Sequence, residues 1–159
     1  MMLALGKPVP DFTLPATSNK TITLSQLKGK NIVLYFYPKD CTSGCTVEGQ
    51  NFRDLYPRFI KLNTEILGIS RDTLKLHEKF KAEQNFPFEL LSDNEEKLCQ
   101  LFDVIKDKTL YGKKVRGIER STFLIDAAGL LCQEWRKVKV DGHADEVLKA
   151  VEKLTKFKG

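Results

Sequence analysis

Residues 31–49 read NIVLYFYPKDCTSGCTVEG, and the change of period inside this stretch decides the architecture. Asn31 to Tyr37 is a nearly continuous apolar and aromatic run that stops at Pro38, the pattern of a central strand covered on both faces. From Cys45 onward the apolar residues recur at Val47, Phe52, Leu55, Tyr56, Phe59 and Leu62. That spacing is one face of a helix of about 18 residues. A buried strand that feeds a long helix through a short loop opens a strand–helix–strand unit.

The rest of the chain continues the unit. TEILGIS (64–70) predicts a second strand, and DTLKLHEKFKAEQ (72–84) a charged surface helix carrying Leu74, Leu76 and Phe80. FELLSD is a short extended segment. NEEKLCQLFDV starts a helix with an Asn cap and acids in its first turn. Residues 106–119 are polar and contain glycine, which predicts a loop. RSTFLID and LLCQEW predict two strands around the turn DAAG, and an amphipathic helix runs from Asp145 to about Phe157. The order is β-α-β-α-(α)-β-β-α after an extended N-terminal stretch with DFTL and TITL. Strand–helix alternation gives a parallel pair and the hairpin an antiparallel one. The expectation is therefore an α/β, thioredoxin-like fold: one domain over 1–159, with a central mixed β-sheet flanked by helices.

Composition bounds the function. At 42% hydrophobic and 30% charged, the 159 residues can bury a real core, and no apolar run approaches a membrane span. The start MMLALGKPVPDF lacks a basic region and reaches a lysine and two prolines within ten residues, so the reading is cytoplasmic, without a secretory signal. The net charge of +5 comes from lysines spread along the chain, and clusters such as RKVKV and EKLTKFKG read as solvated faces. Neither nucleic acid nor membrane is expected as a partner. His77, in a charged surface helix, and His143, in DGHADE, have no second ligand at a metal spacing and read as structural or solvated. No cofactor is expected.

Four cysteines, at 41, 45, 99 and 132, are few for a cytosolic chain and read as catalytic or buried rather than bridged. Cys41 and Cys45 are not the Cys-x-x-Cys of a redox dithiol. Cys45 falls in the first helical turn, where free N–H groups and the positive end of the helix dipole favour a thiolate. Cys41, still in the loop, lacks that help.

Pro38-x-x-x-Thr42-x-x-Cys45 resembles the active-site motif of the peroxiredoxins. GCTVEG after it and GIERSTFLID downstream resemble the bacterioferritin-comigratory, or peroxiredoxin Q, branch, as do GKPVPDFTL, VLYFYPKD and ILGISRD. The resemblance covers nearly the whole chain. It implies a thiol-dependent peroxidase acting on hydrogen peroxide and small organic hydroperoxides, usually as a monomer. Cys45 would be the nucleophile that becomes a sulfenic acid. Thr42 would bond the incoming peroxide, Pro38 would shield the thiolate, and Arg120 would stabilise the thiolate and the charge developing on the O–O bond. Glu48 would orient an arginine by charge-assisted bonds.

One departure stands out. This branch often places a resolving cysteine five residues after the peroxidatic one, or in the helix near residue 80, and this chain has Gln50 and Lys81 there. Three routes stay open: a disulfide to Cys41, a disulfide to Cys99, or direct reduction of Cys45 by an external thiol from thioredoxin, glutathione or glutaredoxin. Cys132 reads as packing. Ser43 stands where the branch usually has proline, which loosens the loop without removing a catalytic group. The competing function is a thiol–disulfide oxidoreductase using Cys41 and Cys45; a basic, non-catalytic binding module is a third reading.

Overall fold

The computed structural model describes residues 3–158. In chain order the elements are β1 (Thr13–Ala16), β2 (Lys20–Thr23), a 3-10 turn (Leu24–Leu27), β3 (Asn31–Phe36), α1 (Ser43–Lys61), β4 (Thr64–Ser70), α2 (Leu74–Gln84), β5 (Glu89–Ser92), α3 (Lys97–Leu101), β6 (Ile105–Leu110), β7 (Lys113–Ile118), β8 (Ser121–Ile125), β9 (Leu131–Trp135) and α4 (His143–Lys158). Seven strands form one mixed sheet in the order β2-β1-β5-β4-β3-β8-β9. β3 lies between β4, parallel to it, and β8, antiparallel to it. Its six residues are all buried, as the unbroken apolar run requires.

Alternation along β3 divides the core. Ile32, Leu34 and Phe36 face a cluster with Leu98, Cys99 and Phe102 from the α3 segment and Phe123 from β8. Val33, Tyr35 and Tyr37 face Phe52 and Phe59 of α1, Phe80 of α2 and Val147, Leu148 and Val151 of α4. Each fully buried side chain of this size contributes about 1.5–3 kcal/mol, so a one-residue slip of β3 would cost both layers at once.

Two segments differ from the sequence expectation. Residues 106–119 are not a loop: β6 and β7 pair antiparallel as a separate two-stranded hairpin. Tyr111 and Gly112 both have positive φ, 51° and 76°, the geometry of a primed hairpin turn. Polar residues fill most of both faces because the ribbon stands apart from the main sheet, so no apolar alternation announces it. The helix predicted from Asn94 is only Lys97–Leu101. Its N-cap is Glu96 at φ 61°, whose carboxylate is held by Arg71 and Arg116, rather than Asn94.

His143 opens α4 almost fully buried, with Nε2 2.8 Å from Thr122 Oγ1 and its ring edge-on to Phe52 and Trp135. Burial lowers its pKa from 6.5 to about 4, Glu146 opposing and Arg120 adding to the shift. The folded state therefore binds fewer protons than the unfolded state between about pH 4 and 6.5. This stabilisation is complete above that window and is lost as the pH falls through it, up to about 3 kcal/mol. Denaturant titrations at pH 7 and pH 4 should show His143→Gln losing less stability on acidification than the wild type. Equal losses would remove His143 as the cause.

Candidate active site

The sheet brings together residues that are far apart in sequence. β3 delivers the chain to Pro38; Asp40 turns back into the protein, and α1 begins at Ser43. Cys45 is the third helical residue and only 2% exposed. β8 pairs Ser121 with Phe36, the last residue of β3, so Arg120 arrives beside Cys45 from 75 residues away. Arg120 Nη2 lies 3.4 Å from Cys45 Sγ, and Arg120 Nη1 donates to Glu48 Oε1 at 2.6 Å. Glu48 is fully buried. One guanidinium thus holds the sulfur and the carboxyl together, the fork geometry that lysine could not supply.

Burial pushes the Glu48 pKa up to about 7, even though Arg120 pulls it down through charge and hydrogen bond. Under the pair lies Tyr35 of β3, fully buried, its pKa pushed well up by burial first and then by Glu48 and Cys45. The phenol therefore stays neutral. Gly44 leaves the space that the arginine uses: a Cβ there would stand 3.2 Å from Arg120 Nη2. Gly44→Ala is expected to displace the guanidinium by a few tenths of an ångström and cost about tenfold in peroxide rate, roughly 1.4 kcal/mol of barrier. The same change favours the helix by up to about 1 kcal/mol, so thermal stability should not fall with activity. Stopped-flow rates and a melting curve on one sample check both halves.

The loop before the helix is anchored by groups that the sequence reading missed. The Asp40 carboxylate accepts from Tyr37 Oη at 2.6 Å and meets His77 Nδ1 at 2.6 Å; the Asp40 amide donates to Asp72 Oδ2 at 2.8 Å. His77 Nε2 donates to the Leu91 carbonyl at 2.9 Å. His77 is therefore not solvated but fully buried, because both ring nitrogens find partners inside. Asp40, Asp72 and His77 also lie close enough to hold a metal ion, but these hydrogen bonds already occupy their ligand atoms.

Thr42 sits at the N-cap position, yet its side chain caps nothing: the hydroxyl donates to the Lys39 carbonyl at 2.8 Å. Pro38 is exposed and lines a depression with Lys39, Arg71, Asp72, Asn94 and Glu96. None of the four cysteines is in a disulfide. Cys41 is exposed, at φ 62°, with its pKa raised by burial of the sulfur and by Glu83 and Asp40. Cys99 is fully buried; burial and Asp93 hold it protonated. Cys132 is half-buried against the α1–α4 cluster, as its alternation predicted. Gln50 bonds Gln84 on α2, and Lys81 bonds Glu89 and Ser18.

Comparison with known proteins gives one consistent result. Residues 5–133 match the family model described as AhpC/TSA family. The chain is 52% identical over 149 residues to peroxiredoxin Bcp of Xanthomonas campestris, covering 92% of this chain and 93% of that protein. It is 49% identical over 155 residues to peroxiredoxin Bcp of Bacillus subtilis, covering 98% and 99%. Among solved structures it is similar to the Xanthomonas campestris bacterioferritin comigratory protein, described for its alkyl peroxide reduction activity, with a TM-score of 0.87 at 51% identity over 91% of this chain and 92% of that one. It is also similar to a cysteine-to-serine mutant of Xylella fastidiosa PrxQ, with a TM-score of 0.90 at 44% identity over 94% and 96%.

Proposed function

This chain belongs to the AhpC/TSA family and is a thiol-dependent peroxidase, and from that premise we propose that Cys45 is the thiol that attacks the hydroperoxide. The single observation that carries the assignment is Arg120 bridging Cys45 Sγ and Glu48 Oε1 in a buried site at the end of β3. The thiolate attacks the terminal oxygen, the O–O bond breaks, and Cys45 becomes a sulfenic acid. Arg120, fixed before reaction by Glu48, stabilises the charge that moves from sulfur to the departing oxygen. Because the Thr42 hydroxyl gives its hydrogen to Lys39, its oxygen remains an acceptor for the O–H of the peroxide. Pro38 takes the shielding role by family likeness alone, since the depression it lines is formed with Lys39, Arg71, Asp72, Asn94 and Glu96. The substrates are hydrogen peroxide and small organic hydroperoxides.

Reduction then needs a second thiol. Cys99 is enclosed in the opposite core layer, and the usual resolving positions carry hydrogen-bonded Gln50 and Lys81. Cys41 is exposed but precedes the helix, and a bond to Cys45 would require the first turn to unwind. We therefore favour direct reduction by an external thiol, from thioredoxin, glutathione or glutaredoxin. The same reading takes the enzyme to be a cytoplasmic monomer. Among the described residues no helix is long and apolar enough to cross a membrane, and the exposed large apolar side chains are scattered over several elements.

Intact-protein mass spectrometry after one equivalent of hydrogen peroxide, with peptide mapping, tests the cycle. Added oxygen localised to Cys45 is expected. Loss of two hydrogens with a mapped Cys41–Cys45 or Cys45–Cys99 bridge would replace direct reduction by an internal disulfide. Oxygen mapped to another cysteine would overturn the site.

A further inference from the structure

Arg120 carries one positive charge and faces two acids. If Cys45 and Glu48 were both ionised, a buried pocket would hold a net negative charge. Among the described residues nothing nearby offsets it: Tyr35 is a neutral phenol, burial keeps His143 neutral, and Asp40 and His77 are taken up with each other, Tyr37 also donating to Asp40. An uncompensated buried charge is costly, so the pocket keeps one proton between the two acids. The reaction requires the sulfur to be the one without it. Cys45 and Glu48 lie three residues apart on one face of α1, with Cβ atoms about 5–6 Å apart at that spacing. Arg120 engages Glu48 Oε1, while Glu48 Oε2 is buried with no hydrogen-bond partner among the described residues, so ionisation would leave a charged oxygen unpaired there.

We propose that Glu48 enters the reaction as a carboxylic acid and hands its proton to the oxygen that leaves when the O–O bond breaks. This rests on Cys45 being the attacking thiol. The thiolate forms the S–O bond, the O–O bond breaks with its electron pair going to the departing oxygen, and that oxygen takes the Glu48 proton. Thiolate, hydroperoxide and carboxylic acid become sulfenic acid, alcohol and carboxylate. The pocket is neutral overall before and after: the negative charge passes from sulfur to carboxylate across the same guanidinium. In the reductive half, one external thiol condenses with the sulfenic acid, releasing water. A second thiol then attacks its sulfur in the mixed disulfide, and the proton of that thiol returns to Glu48 as the Cys45 thiolate leaves. A carboxyl titrating at about 7 is matched to this exchange at neutral pH.

The proton matters only when the leaving group is basic, and this separates proton delivery from the orienting of Arg120. Single-turnover oxidation of reduced protein is followed with tert-butyl hydroperoxide, whose alkoxide must be protonated, and with peracetic acid, whose acetate leaves as a stable anion. Glu48→Gln keeps an acceptor for Arg120 but has no proton to give. It is expected to lose about 10²-fold with the alkyl hydroperoxide and at least tenfold less than that with the peracid. Equal losses with both oxidants would make Glu48 a positioning residue alone, and no loss with either would end the proposal. Wild-type protein gives a second measure: the ratio of alkyl hydroperoxide to peracid rate should fall as the pH rises through about 7, and a flat ratio contradicts proton donation. Peptide mapping of the wild-type product keeps the two readings apart. Oxidation away from Cys45 would remove the premise itself, whereas oxidation at Cys45 with an indifferent Glu48→Gln would remove only the proton transfer.

Discussion

Cys45→Ser is expected to leave no peroxide consumption above the uncatalysed background, while Cys132→Ser keeps the wild-type rate. A hydroxyl in place of the sulfur still meets Arg120, but it is not ionised near neutral pH, and oxygen cannot pass through the sulfenic state that the cycle needs. The loss is therefore one of chemistry. Serine fills most of the same buried volume, so melting temperature and circular dichroism should stay close to wild type. Cys41 cannot take over: it lies outside the helix, its pKa is raised, and none of its described hydrogen bonds reaches Arg120. A Cys45→Ser protein that retained a tenth of the activity would move the nucleophile elsewhere and break the assignment. Cys132 lies in β9, its sulfur 3.6 Å from the carbonyl of Leu130 just before the strand, and none of its described hydrogen bonds reaches Arg120 or Glu48, so a large loss in Cys132→Ser would be equally damaging.

The β3–loop–α1 unit was legible because its period changes sharply from a continuous apolar run to helical spacing, and because both patterns are satisfied locally. The β8–β9 hairpin was legible for the same reason. What stayed hidden depends on partners far away in the chain. In α2 the sequence offers Leu74 and Leu76 as an apolar face, yet both are exposed, and the inward face is His77 with Phe80. Nothing local says so: His77 turns inward because Asp40 and the Leu91 carbonyl wait for it. Among the described side chains of the β6–β7 ribbon only Ile118 is buried, so its strands carry no alternation to detect; only the glycine at 112 hinted at a turn. Arg120 could be tied to Cys45 from the sequence only through resemblance. The physical reason is the antiparallel pairing of β8 with β3, which sets Arg120 at the same end of the sheet as the helix start.

Arg120→Met should cut the peroxide rate by about 10²–10³, the usual cost of removing one fixed donor from a site of developing charge. Two effects combine. The sulfur loses its only described guanidinium contact, so less thiolate is present and less charge is stabilised as the O–O bond lengthens. Glu48 loses the one described partner of its carboxyl, and because Arg120 had been lowering its pKa, that pKa must rise above about 7 and the neutralisation of the carboxyl becomes complete at neutral pH. That neutralisation limits the damage to folding: a buried carboxylic acid is far cheaper to keep than an unpaired buried carboxylate. The variant should accordingly fold, and lose its activity through the site. Alkylation of Cys45 by iodoacetamide distinguishes this loss from that of Glu48→Gln. Alkylation needs the thiolate but no proton donor, so it should slow much more in Arg120→Met than in Glu48→Gln. Lysine at the position would restore charge without the fork, and should recover part of the alkylation rate but less of the peroxide rate, since one ammonium cannot hold sulfur and carboxyl in the same plane. An Arg120→Met protein within threefold of wild type would show that the contact seen at 3.4 Å does not carry the chemistry.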